Sequence, residues 1–234
     1  MNYKFLKLKN RKTFVIGDIH GDLEMLKTRI TNDDNIRQCN LIIAGDIGLG
    51  FSPIDVYLKH YRILSKFIAS KDIELYLIRG NHDDPSYFTE HKIDMENIFT
   101  LEDYTVLNIG DTNILCVGGG VSIDRKNRIK NYEYKVKYYH DIFKDIKSEE
   151  EITKEINKSN TYWVDEMPIY DEKTLSEITS DGIKLDYIIS HTSPNFCFKN
   201  TTKGIEYWLM MDLNLEEDLN TERHIISSIY NIIP

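Results

Sequence analysis

The chain has 234 residues, 41% hydrophobic and 29% charged, with five prolines and twelve glycines, enough to bury a full core in one large domain or two small ones. Its formal net charge of -9 argues against a protein that coats duplex nucleic acid, whose phosphates demand a basic face. Three widely spaced cysteines, Cys39, Cys116 and Cys197, offer no CxxC spacing and exclude a disulfide framework or a zinc knuckle.

In chain order, Met1 to Leu6 carries no long apolar core, and no run reaches the roughly 18 apolar residues of a membrane span. A cytoplasmic location without a membrane partner is expected. Lys12 to Ile16 reads as the first strand and runs into Gly17-Asp18-Ile19-His20-Gly21-Asp22. Side chains two apart at a strand end share a face, which sets a carboxylate beside an imidazole. Asp22 is placed to cap a helix from Leu23 to about Ile30. Asn40 to Ala44 is an uninterrupted apolar run suited to a strand buried on both faces, and it ends in Gly45-Asp46.

From Asp55 to Ser70 the apolar residues recur at helical spacing. Ile73 to Ile78 is again a strand, ending in Arg79-Gly80-Asn81-His82-Asp83. Thr105 to Ile109 and Asn113 to Val117 read as a hairpin, leading into Gly118-Gly119-Gly120-Val121-Ser122-Ile123-Asp124-Arg125. Residues 126 to about 160 are rich in Lys, Glu, Asp and Tyr and predict solvated helices. They form either a surface insertion without chemistry or a cap that helps choose the substrate. A helix from Asp171 to about Ile178, a strand Leu185 to Ser190 ending in His191, and an amphipathic helix Glu216 to Ile229 complete the pattern. No repeat or interdomain linker interrupts it, so residues 1–234 are expected to form a single domain.

Four strands thus end in Asp18-x-His20, Asp46, Asn81-His82 and His191. Open α/β sheets bind ligands at that edge. A set of carboxylates, imidazoles and an amide oxygen suits manganese, iron or zinc better than magnesium or calcium alone.

The order Gly-Asp-x-His-Gly, Gly-Asp, Gly-Asn-His-Asp, Ser-His resembles the calcineurin-like metallophosphoesterase superfamily over nearly the whole chain. The resemblance implies an α/β (α+β) fold, a β-sandwich of βαβ units flanked by helices, with two divalent metal ions. It implies that Asp18 and His20 hold the first ion, Asn81 and His191 the second, and that Asp46 bridges them. His82 then faces the substrate, protonating the leaving oxygen or stabilising the transition state. The implied activity is hydrolysis of a phosphate mono- or diester by metal-bound hydroxide. The Gly118 to Arg125 stretch resembles a glycine-rich segment of bacterial and phage members. Either Arg125 or Ser122 touches the substrate, or the glycines supply turns while Asp124 and Arg125 pair.

Two departures stand out. Gly45-Asp46 is followed by Ile47-Gly48-Leu49-Gly50 rather than the Asp and Arg of the phosphoprotein phosphatases, which leaves only Asp83 or Asp84 as candidates to orient His82. The closing Gly-His-x-His of the superfamily is also missing, since His224 lies in a predicted helix and the chain stops about where that strand would start. Hence the alternative expectation is a truncated or catalytically impaired relative that binds a phosphorylated ligand or a protein.

Overall fold

The computed structural model describes residues 3–157, 160–198 and 204–232. The elements run β1 (Phe5–Leu8), β2 (Thr13–Ile16), α1 (Leu23–Asn32), β3 (Cys39–Ala44), α2 (Ile54–Ala69), β4 (Ile73–Ile78), the single turn α3 (Ser86–Thr89) and β5 (Ile98–Leu101). After these come β6 (Thr105–Ile109), β7 (Thr112–Val117), α4 (Arg125–Phe143), α5 (Glu149–Asn157), α6 (Glu172–Ser180), β8 (Tyr187–Ser190), α7 (Ile205–Met211) and α8 (Leu215–Tyr230). Asp22 caps α1 as its sequence position suggests, its carboxylate accepting from the Met25 N–H at 2.8 Å. No helix among the described residues is long and apolar enough to cross a membrane.

The strands form two four-stranded sheets, β2-β3-β4-β5 and β1-β6-β7-β8. The first is parallel throughout; the second is parallel except for the β6–β7 hairpin. Alternation along the strands builds the layers. In β3, Leu41 and Ile43 face α1 and α2, joining Leu26, Ile30, Tyr61, Leu64 and Ile68, while Ile42 faces the other sheet. In β7, Leu115 and Val117 pack with Leu175 of α6 and Ile226 of α8. Ile114 and Cys116 point the opposite way, to Tyr76 and Ile78 of β4. The result is a sandwich of two sheets between helices, an α/β architecture, and each fully buried aliphatic side chain contributes roughly 1.5–3 kcal/mol.

Register sets the site. Ala44 pairs with Ile78, so the turns after β3 and β4 leave the sheet side by side. Val117 pairs with Ser190, so His191 leaves the second sheet level with Gly118.

Four elements escape sequence reading. β1 and β5 have four residues each and lead into no Gly-Asp, Gly-Asn or Ser-His turn that would mark them, α3 is a single turn of four residues, and α7 is a seven-residue helix with no buried side chain. The charged stretch forms α4 and α5; residues 158–159, which fall in it, lie outside the described residues. Along α4 only Arg128 is buried.

Candidate metal centre

The turns after β2 and β3 are zipped together. The N–H groups of Ile19 and His20 both donate to the Asp46 carbonyl, at 3.2 and 2.8 Å, and the Gly21 N–H donates to that of Ile47 at 2.7 Å. These bonds bring His20 Nε2 to 3.7 Å from Asp46 Oδ2 and 3.9 Å from Asp18 Oδ2. Both ligand-type residues sit in left-handed backbone, His20 at φ 45° and Asp46 at φ 51°.

His191 enters from the second sheet. Its Nε2 lies 3.3 Å from Asp46 Oδ1 and 2.9 Å from Asn81 Oδ1, and its Nδ1 lies 3.9 Å from Asp18 Oδ1. Gly45, at φ +97°, makes room for it, because a Cβ there would strike the His191 ring. The five residues proposed from sequence, Asp18, His20, Asp46, Asn81 and His191, therefore lie along one stretch of the sheet edge, with Asp46 within 3.7 Å of His20 and 3.3 Å of His191.

The atoms that meet are nearly all acceptors. His191 Nδ1 is 2.9 Å from the Ala44 carbonyl oxygen, which can only accept, so Nδ1 carries the proton. Nε2 then turns a lone pair toward Asn81 Oδ1 and Asp46 Oδ1. Asn81 keeps its oxygen on that side because its Nδ2 donates to Ser122 Oγ at 2.9 Å. Three converging acceptors with no proton between them repel unless a cation stands among them or the ring takes a second proton. The donor set fits a divalent ion, and it matches the nitrogen and oxygen ligands preferred by manganese, iron and zinc.

His82 stands beside this cluster. One ligand atom each of His20, Asp46 and His82 lies within 4.8 Å of the others, and the His82 N–H donates to Asp46 Oδ1 at 2.9 Å. Burial, reinforced by the Arg128 guanidinium, holds its imidazole below the usual range, while Asp46 pulls the other way. Neither aspartate suggested from sequence orients this ring. Asp83 points away and accepts four backbone N–H groups: Ile47 at 3.0, Gly48 at 2.7, Leu49 at 2.9 and Gly80 at 2.7 Å. Asp84 accepts from Ser86.

The group touching His82 is Arg128, one Nη of which lies 2.7 Å from Nε2 and 3.2 Å from Nδ1. Its Nε pairs with Asp124 at 2.8 Å and its other Nη donates to the Thr161 carbonyl at 3.0 Å. Phe51 completes the wall, 6.3 Å from His82 and edge-on to Trp163 at 5.2 Å between ring centres. Arg125, the substrate-binding candidate from sequence, is placed elsewhere, its guanidinium paired with Asp212 and Asp218 at 2.5 Å each. The expected Asp124–Arg125 pairing is replaced by Asp124–Arg128, one helical turn further on. Sequence reading missed Arg128; its one signal was an arginine inside the charged stretch that a cap would need.

Two buried glutamates flank the cluster. Glu166 receives the Ser122 N–H at 2.7 Å and lies 2.6 Å from its hydroxyl. Glu222 receives the Val121 N–H at 2.6 Å and the Thr192 hydroxyl at 3.3 Å. Burial pushes each carboxyl up to about 7 against these donors. Arg79 ties the Glu166 segment to the end of β4, donating to the carbonyls of Glu166 and Met167 at 2.8 and 3.1 Å. His224 is exposed on α8, its Nδ1 2.7 Å from the Asn220 carbonyl of the same helix.

A family model described as calcineurin-like phosphoesterase matches residues 11–195. No curated protein matches the chain. Among solved structures, a cold-active protein-tyrosine phosphatase of a psychrophilic Shewanella species aligns at 14% identity, over 82% of this chain and 68% of that one, with a TM-score of 0.30. A second structure of a cold-active protein tyrosine phosphatase aligns at 14% identity, over 82% and 67%, with a TM-score of 0.29.

Proposed function

The chain belongs to the calcineurin-like phosphoesterase family, and from that premise we propose that it is a two-metal hydrolase of phosphate mono- or diesters. Asp18 and His20 would hold one ion, Asn81 and His191 the other, and Asp46 would serve both. Two divalent ions there would polarise the phosphoryl oxygens and supply a water acidic enough to attack phosphorus near neutral pH, its pKa lowered to roughly 7.

This chain's own residues do the rest. His82, anchored through its N–H to Asp46, faces the side on which a leaving oxygen departs, where a proton or a hydrogen bond is needed. Arg128 presents a fixed guanidinium beside it, suited to a phosphoryl oxygen. The observation that carries this reading is the meeting of Asp46, Asn81 and His191 acceptor atoms at 2.9 and 3.3 Å.

The test is metal content together with hydrolysis of p-nitrophenyl phosphate and its bis-ester under added manganese. Two bound ions and turnover abolished by Asp46→Asn are the expected result. His82→Ala should lower kcat by roughly 100- to 10,000-fold with both ions retained; loss of an ion would make His82 a ligand instead. No uptake at millimolar manganese would favour a module that binds a phosphorylated ligand or a protein.

A further inference from the structure

We infer that Ser122 and Glu166 are positioning residues that decide which end of the Asn81 amide faces the second ion, an assignment that rests on the phosphoesterase reading of that site. Ser122 is wholly buried, and its hydroxyl has one proton and two lone pairs. Its main-chain N–H can only donate, so Glu166 Oε1, 2.7 Å away, must accept. In the ionised carboxyl, the form present above the value near 7 to which burial raises it, the other oxygen, Oε2, also has only lone pairs to offer, so the hydroxyl proton goes to it across 2.6 Å. Ser122 Oγ is left with lone pairs toward Asn81, and only the amide NH2 can meet them at 2.9 Å. The oxygen of Asn81 is thereby turned toward His191 and Asp46.

Gly120 leaves room for this amide, since a Cβ there would come within 3.3 Å of Asn81 Oδ1 and 2.9 Å of Thr192 Oγ1. Hydrogen-bond polarity thus runs from Asn81 through Ser122 to Glu166. The two positioning residues bracket the α4–α5 arm, Ser122 just before it and Glu166 just after it.

The polarity can be inverted without changing shape. Glu166→Gln has one oxygen and one NH2. The Ser122 N–H claims the oxygen, so the NH2 donates to Ser122 Oγ and the hydroxyl proton swings to Asn81. That proton draws in the amide oxygen and leaves NH2 facing His191, where it cannot ligate. Asn81→Asp in the same background has an oxygen at both ends and accepts the inverted proton while still offering a ligand.

The experiment is manganese titration of the full chain by calorimetry at a pH above 7, where Glu166 is ionised, with the chelated proteins' unfolding temperatures recorded to show that each variant folds. E166Q should lose roughly 10- to 100-fold in affinity for one ion and hold the other as wild type does. N81D should raise that affinity by more in the E166Q background than in wild type, because in wild type its second oxygen meets the lone pairs of Ser122. E166Q binding both ions as tightly as wild type, or N81D gaining equally in both backgrounds, overturns the assignment. A wild-type chain that takes up no manganese overturns the phosphoesterase reading and this assignment with it.

Discussion

His20 and Asp46 hold φ of 45° and 51°, a conformation that costs a non-glycine residue on the order of 1 kcal/mol or more. Something must over-determine it. Part of the answer is Asp83, whose two oxygens gather the N–H groups of Ile47, Gly48, Leu49 and Gly80 and so lock the turn after β3 to the turn after β4. Asp83→Asn keeps one acceptor and sets an NH2 against two of those donors. It should destabilise the chain by about 2–4 kcal/mol, read as a lower denaturation midpoint at unchanged slope; an unchanged midpoint would remove Asp83 from the scaffold. The sequence marked the ligand-type residues because Asp, His and Asn stand out after apolar runs. It could not say that the aspartate next to His82 turns its back on that ring. Adjacent residues in a turn point in different directions, and the direction depends on which backbone N–H groups a distant loop leaves unpaired.

The α4 arm is the element whose role the sequence hid. Its surface is mixed in charge and none of its apolar residues is buried, so pattern alone cannot distinguish a solvated insertion from a lid. The structure puts Arg128 of its second turn on His82 and ties the same guanidinium to Asp124 at the root of the arm and Thr161 beyond its end. Arg128→Ala should cut kcat/KM for a phosphoester by roughly 10- to 100-fold and leave manganese affinity unchanged. Arg128→Lys should recover little, since one ammonium cannot hold three partners in a plane. Full activity in either variant would make the arm a bystander. The glycine-rich motif ended at Arg125 and drew attention there. One further turn of helix carries the chain from the acidic pair Asp212 and Asp218 to His82. β1 and β5 were missed because, unlike the equally short β2 and β8, they lead into no Gly-Asp or Ser-His turn that marks a strand end, and pairing with a neighbouring strand decides them instead.

At the scale of the molecule, the near-continuous apolar runs of β3, β4 and β7 made the buried sheets legible, because strands buried on both faces must be apolar throughout. Which face met which sheet was not legible, since that depends on register between distant strands. The same burial has a thermodynamic trace. Glu222, pushed up to about 7 by burial from an ordinary 4.5, holds a proton in the folded chain that the unfolded chain releases. Its contribution to stability is complete below the unfolded value and is lost as pH rises through the folded one. With chelator present, the unfolding temperature of wild type relative to Glu222→Gln should therefore fall between about pH 5 and 8. Parallel curves would show that this carboxyl is ionised throughout.

His191 belongs to one sheet, yet its ring is bonded to the carbonyl of Ala44 in the other and reaches Asp46 beside it. The place that Asn81 and His191 would give the second ion is completed only where the two halves of the sandwich meet. A cation taken up there would act as a rivet through both plates, so that filling the pocket and preventing the halves from sliding become one event, and a chain able to cut phosphoesters would also be a chain made firmer by its own cofactor.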